Sequence, residues 1–235
     1  MWLSNQSAQH KTTQLSSILQ TKYGIPGDVA TLTTHTFLHN FRLCPDNSEV
    51  DLDVWRQLLW KQALGKQHAT IAGDVYAEWL KLRYHYLTIS SEVSSFLWNL
   101  RKHYSLCLIT NGPSRSQWEK IERLNLRPYF DCILVSGDLP WEKPDKNIFL
   151  KACNYLGVQP SKCIMVGDKL ETDIQGGVDA CLGATVWLAS SQYPGHLEPR
   201  PDFIINSITD LIKLFPFRTS LPDIEDHSSN ASDGS

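Results

Sequence analysis

The chain has 235 residues, of which 42% are hydrophobic and 20% charged, and its formal net charge is −3. This composition is typical of a globular protein, and the slight negative charge argues against nucleic acid or an anionic membrane as a partner. No apolar run is long enough to span a bilayer, and the opening residues lack the pattern of a signal peptide, so we expect a cytoplasmic protein.

Six cysteines are scattered along the sequence, which predicts reduced thiols instead of disulfides or zinc ligands: Cys44, Cys107, Cys132, Cys153, Cys163 and Cys181.

Apolar residues recur at helical spacing through the first part of the chain. The segments 7–23, 28–42 and 54–64, followed by apolar positions from Val75 to Tyr86, predict helices. The aromatic residues on these helices suit a hydrophobic core better than a cofactor pocket. We interpret residues 7–88 as a helical cap.

The pattern changes after residue 88. Strands are predicted at 105–110, 130–136, 163–166, 184–188 and 203–205, and helices at 91–103, 116–124, 145–156, after Asp173 and at 208–214. Strands that alternate with helices are typical of an α/β fold with a doubly wound, Rossmann-like parallel sheet, here over residues 89–216. Residues 217–235 are rich in Ser and Asp and predict a disordered tail.

Polar segments follow three of the predicted strands. Thr110-Asn111-Gly112 offers a hydroxyl and backbone N–H groups to an anion, and Lys143, before Pro144, offers an ammonium to phosphate. Asp168 ends the third strand with Asp173 close behind, and carboxylates are ligands that Mg²⁺ prefers. Because strand ends at one edge of a sheet converge, these segments together predict a pocket for phosphate and magnesium.

Each of these segments also has an ordinary explanation. Thr110-Asn111-Gly112 suits a strand-ending turn, Lys143 suits a solvated surface lysine, and Thr172 and Asp173 suit the start of the next helix. Gly176 and Gly177 in that helix predict close approach to a neighbour.

Taken together, the segments 108–112, 142–144 and 165–177 resemble the second, third and fourth motifs of the haloacid dehalogenase superfamily. The resemblance implies a Rossmann-like core with a helical cap, and Mg²⁺-dependent hydrolysis of a small sugar phosphate through an aspartyl-phosphate. It implies phosphate binding by Thr110, Asn111, Gly112 and Lys143, a catalytic role for Lys143, and metal binding by Asp168 and Asp173.

The first motif of that superfamily, Asp-x-Asp-x-Thr after an apolar strand, does not occur in this sequence. In the family this motif supplies the nucleophile and the acid/base. Asp51-Leu52-Asp53 comes nearest, but no apolar strand precedes it, and it suits a helix N-terminus. The family's missing strand lies mid-sheet, so the strands ending at Thr110 and Gly167 must pair with each other, leave backbone groups unpaired or recruit another segment.

Three functions therefore stay open. The first is a phosphatase represented by a chain with little or no turnover of its own, because the nucleophile is missing. The second is a non-catalytic module that binds sugar phosphates or regulates. The third is a relative with other chemistry, such as a dehalogenase, which the Lys-Pro pair and the Asp168–Asp173 spacing disfavour. Arg83, Arg115 and Gln117 are candidates for contacts with substrate or between cap and core, and the oligomeric state is open.

Overall fold

Helices make up the first part of the chain, as the periodicity predicts. The computed structural model describes residues 5–41, 43, 51–189 and 198–215, so Cys44 and the predicted tail at 217–235 lie outside the described residues. The helices in this part are α1 (Asn5–Tyr23), α2 (Gly27–Phe41), α3 (Leu52–His68) and α4 (Ala72–Tyr86). Asp51 caps α3 by accepting hydrogen bonds from the backbone N–H groups of Asp53 and Val54, which confirms the helix N-terminus predicted there.

Aromatic side chains form the core of this helical unit. Phe37 and Trp60 are fully buried and stack with their ring centroids 3.8 Å apart. Trp79 meets the Phe37 ring edge-on at a centroid distance of 5.1 Å. The predicted packing role of these aromatics is therefore confirmed, since edge-on and stacked contacts of buried rings stabilise a core. None of the described helices is both long and apolar enough to cross a membrane.

The second part of the chain alternates strands and helices, as predicted. Its elements in order are α5 (Ser91–Arg101), β1 (Cys107–Thr110), α6 (Ser114–Arg123), β2 (Cys132–Val135), α7 (Lys146–Leu156), β3 (Ile164–Gly167), α8 (Gln175–Asp179), β4 (Ala184–Leu188), β5 (Phe203–Ile205) and α9 (Leu211–Leu214). Gly157 ends α7 in the left-handed conformation (φ 67°), which explains why the helix stops there.

All strand pairs in the described residues are parallel, but they form two sheets. β1 pairs with β2 in one sheet, while β4 lies between β3 and β5 in the other. β1 and β3 share no backbone ladder in this described part of the chain. One possibility raised by the missing mid-sheet strand was that β1 and β3 pair directly with each other. This possibility is therefore wrong.

Side chains join the two sheets where the ladder is interrupted. Helix α7 contributes Ile148 and Phe149 to a buried cluster that also contains Ile109 of β1 and Met165 of β3. Phe149 lies against Gly176, where an added Cβ would come within 2.3 Å of the ring. The close approach predicted for this glycine is confirmed, and α7 packs against both halves of the structure.

The segment after β3 differs from the predicted helix start. Residues 170–174 form a π-helical turn, and α8 begins only at Gln175. Asp173 lies inside this turn, and its carboxylate accepts a hydrogen bond from Lys169 N–H instead of capping α8. Thr172 and Asp173 were predicted to cap or to open the following helix: they do not cap α8, and they lie in the helical turn that leads into it.

A buried ionic contact joins the helical unit to α6. The Arg56 guanidinium, only 1% exposed, donates to both carboxylate oxygens of Glu119, with Nη1 2.9 Å from Oε1. The Tyr84 hydroxyl donates to the same carboxylate at 3.1 Å, and Arg83 Nη2 lies 3.6 Å from it. Burial raises the pKa of the Glu119 carboxyl, but hydrogen bonds from Arg56 and the charges of Arg56 and Arg83 outweigh burial, so the net pKa lies below its ordinary value.

Candidate functional site

The loop after β1 is held by side chains from two neighbouring segments. Thr110 Oγ1 donates to Gln117 Oε1 at 2.9 Å, and Gly112 N–H donates to Ser136 Oγ at 3.0 Å. Gly112 has a φ of +131°, and an added Cβ would come within 2.4 Å of Gln117 Nε2. Only glycine fits this backbone, which keeps the loop closely packed on the first turns of α6.

Asn111 connects this loop to the segment that carries Lys143. Its amide Nδ2 donates to the Lys143 carbonyl oxygen at 2.8 Å, and its Oδ1 accepts from the Lys143 N–H at 2.9 Å. Both polar groups of the Lys143 backbone are therefore bound by one side chain. These two hydrogen bonds hold the Lys143 backbone in place, and with it the position from which the Lys143 side chain extends.

The Lys143 ammonium lies between the two sheets. Its Nζ donates to the Ile109 carbonyl oxygen of β1 at 3.1 Å and to Asp173 Oδ1 at 2.7 Å. The side chains of Lys143 and Asp173 are only 11% and 4% exposed. The sequence allowed a solvated surface lysine here, but in the structure this lysine is part of a buried ion pair.

The backbone around Asp173 is shaped to receive its carboxylate. Oδ2 accepts from Lys169 N–H at 3.1 Å, so both carboxylate oxygens have a protein partner. An added Cβ at Gly167 would lie 2.3 Å from Asp173 Oδ2, which requires glycine at the end of β3. Thr172 Oγ1 is buried in the same turn with no hydrogen-bond partner.

Asp168 is placed differently from Asp173. Its side chain is exposed at the end of β3, and its backbone carbonyl accepts from Trp187 Nε1 at 3.1 Å. An exposed carboxylate suits a hydrated Mg²⁺, whereas both Asp173 oxygens already accept hydrogen bonds. The described residues contain no group of three or more His, Cys, Asp or Glu side chains that could hold a metal ion. Of the carboxylates predicted as ligands, Asp168 fits Mg²⁺ as a single protein ligand.

Two residues extend the site beyond the sequence-based prediction. Gln117 was only a candidate for a contact, and it binds the Thr110 hydroxyl. Ser136 was missed, although it follows β2 directly, as Asp168 follows β3. The same strand-end rule would have found it.

The geometry brings several groups that bind anions into one region. The Lys143 ammonium, the Thr110 hydroxyl and the backbone N–H groups that begin α6 all lie where β1 ends. Such donors stabilise negative charge, more strongly where water is excluded. The arrangement therefore collects at one strand end the kinds of donor that an oxyanion requires.

Comparisons with known proteins agree with this chemistry. Residues 23–180 match the family model of a haloacid dehalogenase-like hydrolase. The chain is 39% identical to N-acylneuraminate-9-phosphatase of Rattus norvegicus over 165 residues and 40% identical to that of Homo sapiens over 158 residues. These matches cover 70% and 67% of this chain but 66% and 64% of the relatives, so the chain spans just under two thirds of their length.

A solved structure supports the fold independently. A 2-haloacid dehalogenase from Pseudomonas syringae superimposes with a TM-score of 0.58 at 22% identity. The superposition covers 91% of this chain and 93% of that one. At this identity the likeness concerns the fold alone, and it agrees with an α/β core that carries additional helices.

Proposed function

The chain belongs to the haloacid dehalogenase-like hydrolase family, and from that membership we propose that it is a phosphatase-type protein for a sugar-acid phosphate. The proposed substrate class is an N-acylneuraminate 9-phosphate, the type of compound named for the relatives that are 39% and 40% identical to this chain over 165 and 158 residues. The observation that carries the proposal is the contact between the Thr110–Gly112 loop and Lys143 through Asn111.

In this proposal the phosphoryl group is bound at the end of β1. The Thr110 hydroxyl, the Asn111 and Gly112 segment and the Lys143 ammonium bind its oxygens, and Lys143 also stabilises the charge of the reacting group. The Asp173 carboxylate keeps the ammonium in place through the 2.7 Å contact. Residues 7–88 act as a cap and residues 89–216 as the catalytic core.

We propose Mg²⁺ as the cofactor, with Asp168 as its protein ligand. A magnesium ion usually keeps several waters and uses one or two carboxylates together with substrate phosphates, so a single exposed carboxylate is sufficient for weak binding. Asp173 is proposed to support this metal site indirectly, because its carboxylate holds the Lys169 N–H next to Asp168. When bound, the ion would neutralise charge on the phosphate oxygens.

Turnover needs a nucleophile as well as a binding pocket. The Asp-x-Asp-x-Thr stretch does not occur in the sequence, and Lys143 is already paired with the Asp173 carboxylate. Covalent phosphoryl transfer has no starting atom without a nucleophile. We therefore expect this polypeptide to bind the substrate class and to hydrolyse it slowly or not at all.

The second candidate function is a non-catalytic module that binds sugar phosphates. It rests on the same two observations, the missing Asp-x-Asp-x-Thr stretch and the pairing of Lys143 with Asp173.

Two measurements on the full chain test the proposal. One is phosphate release from N-acetylneuraminate 9-phosphate in the presence of Mg²⁺. The other is the shift in melting temperature with the same compound, or with inorganic phosphate, with and without Mg²⁺, because a ligand that binds only the folded state raises its stability. We expect a clear thermal shift and little phosphate release.

The variant Asp168→Asn tests whether Asp168 binds Mg²⁺. Asp179→Asn, on the exposed surface of α8, is the matched control. The Mg²⁺-dependent part of the shift should disappear in the first variant and persist in the second. Robust turnover would contradict the non-catalytic alternative and the expected impairment. Absence of both turnover and thermal shift would overturn the proposed substrate class.

A further inference from the structure

Four cysteines from four separate segments lie together at the ends of the strands remote from Thr110 and Gly167. We call Cys107, Cys132, Cys153 and Cys163 the thiol cluster. Cys107 and Cys132 open β1 and β2 as register partners, and burial together with the nearby Cys132, Cys153 and Cys163 thiols raises the pKa of Cys107. Cys153, in the last turns of α7, has its Sγ 3.5 Å from Cys163 Sγ, just before β3. The fold therefore brings together residues that the sequence scatters.

Metal binding does not account for the thiol cluster. The described residues contain no group of three or more Cys, His, Asp or Glu side chains with the geometry of a metal site. The described cysteines are all free thiols. The sulfur atoms of Cys153 and Cys163 are 3.5 Å apart, which is van der Waals contact. The chemistry that this pair can carry out is thiol oxidation.

The two thiols of this pair have different environments. Cys163 is partly exposed, and its Sγ also lies 3.5 Å from the Gln159 carbonyl oxygen. Cys153 is only 4% exposed, and burial raises its pKa to about 11. A solvent-borne oxidant therefore meets Cys163 first, and Cys153 is the sulfur that lies beside the product of that reaction.

We propose that Cys153 and Cys163 form an intramolecular disulfide when the protein meets a hydroperoxide. The Cys163 thiolate attacks one peroxide oxygen, the O–O bond breaks, and the departing oxygen leaves as water or alcohol after protonation. The resulting sulfenic acid is attacked by the Cys153 sulfur, the S–O bond breaks, and the hydroxyl group leaves as water with the Cys153 proton. The two thiols lose two electrons, which reduce the peroxide.

Bond formation requires the two sulfurs to approach each other. A disulfide has an S–S length of about 2.05 Å, so their separation of 3.5 Å must shrink by roughly 1.5 Å. The crosslink closes the short connection between α7 and β3, which contains the turn Pro160–Lys162. Closing a loop restricts the unfolded chain and raises stability. The oxidised protein is therefore expected to melt at a higher temperature, with its phosphate site at the opposite strand ends unchanged.

Peptide mapping of the full chain tests this assignment directly. The six cysteines fall on six different tryptic peptides, with Cys153 on 152–162 and Cys163 on 163–169. The folded protein is treated with hydrogen peroxide, alkylated, digested without reductant and analysed by mass spectrometry. We expect the linked pair 152–162 plus 163–169, and a melting temperature raised by several degrees that returns to its starting value with dithiothreitol.

Three cysteine variants distinguish the disulfide between Cys153 and Cys163 from unspecific oxidation of the other thiols. Cys181→Ser removes an exposed thiol outside the cluster and should leave the linked peptides unchanged, whereas Cys163→Ser and Cys153→Ser should each abolish them. Circular dichroism confirms that each variant is folded. The proposal is overturned if the folded chain yields Cys163 sulfinic acid or another cysteine pairing without the 153–163 link. It is equally overturned if urea-unfolded protein gives the same yield of that link.

Discussion

Asn111 and Lys143 hold each other through two hydrogen bonds although they are 32 residues apart in the sequence. The primary amide of asparagine offers one donor and one acceptor, which match the carbonyl and the N–H of the Lys143 backbone. This contact joins the β1 loop to the segment that carries the ammonium. Its loss should affect both loops at once.

Asn111→Asp tests that contact with almost no change in volume. The carboxylate keeps the acceptor for Lys143 N–H, loses the donor and places negative charge against the Lys143 carbonyl. We expect a loss of about 1–3 kcal/mol in the free energy of unfolding, measured with urea. Asn99→Asp, an exposed position on α5, introduces the same charge and should change stability by less than about 0.5 kcal/mol. Equal effects of the two substitutions would rule out a structural role for the contact.

The ion pair between Lys143 and Asp173 is the second point to test. Lys143→Met leaves the Asp173 carboxylate buried without its cation, which we expect to cost about 3–5 kcal/mol in the free energy of unfolding. In a double-mutant cycle with Asp173→Asn, the two changes together should cost less than their sum by about 1–3 kcal/mol. The exposed Lys146→Met serves as the control. Additive effects would mean that the two groups do not interact in solution.

Glu119 should give the stability a distinct pH dependence. The folded pKa of Glu119 lies below its ordinary value of about 4.5, so ionised Glu119 stabilises the fold above that pH. This contribution is lost as the pH falls through the lower folded value. Urea unfolding at pH 7 and at successively lower pH should show this loss in the wild type and a smaller loss in Glu119→Gln.

The cost of removing Glu119, in the free energy of unfolding, can be compared with the cost of removing a surface ion pair on the same helix. At pH 7, Glu119→Gln leaves the buried Arg56 with only the exposed Asp53 carboxylate, 3.6 Å away, as its counter-charge, and we expect a cost of about 3 kcal/mol. Glu122→Gln removes the exposed partner of Arg127, where both side chains are more than half exposed, and should cost less than about 1 kcal/mol. Similar costs at both sites would mean that the contact between α6 and the helical unit is as weak as a surface pair.

The packing of α8 on α7 makes a steric prediction. Gly176→Ala places a methyl group 2.3 Å from the Phe149 ring and 2.9 Å from the Pro144 carbonyl oxygen. We expect a loss of about 1–3 kcal/mol in the free energy of unfolding from this overpacking. Gly73→Ala, in the exposed first turn of α4 with no heavy atom within 4 Å, should instead stabilise by about 0.5–1 kcal/mol. A neutral Gly176→Ala would show that α8 can move away from α7 freely.

Local signals in the sequence predicted most of the described elements. Apolar spacing predicted α1 to α7, and the β-branched runs predicted the five described strands, because these patterns reflect burial on one face or both. Asp51 was correctly assigned to a helix N-terminus, because no apolar strand precedes it and an acidic residue there complements the helix dipole. The strand-end rule also brought Thr110 and Lys143 into one hypothesis.

What the sequence did not reveal depends on partners far along the chain. Asp173 looked like a cap or a metal ligand, and its hydrogen bond to Lys143, 30 residues earlier, is invisible to local patterns. Asp173, which makes that contact, lies inside the π-helical turn at 170–174. Glu119 has no distinguishing feature in its own helix, because its partners Arg56 and Arg83 come from α3 and α4.

The division of the described strands into two sheets has a mechanical consequence. Strands joined by a ladder stay about 4.8 Å apart, and that spacing does not vary. Between β1 and β3 the separation is instead governed by side-chain packing on α7 and by the contacts of the Lys143 ammonium. The opening available to a bound anion therefore depends on side-chain contacts, and it can widen or narrow without breaking a single backbone hydrogen bond of either sheet.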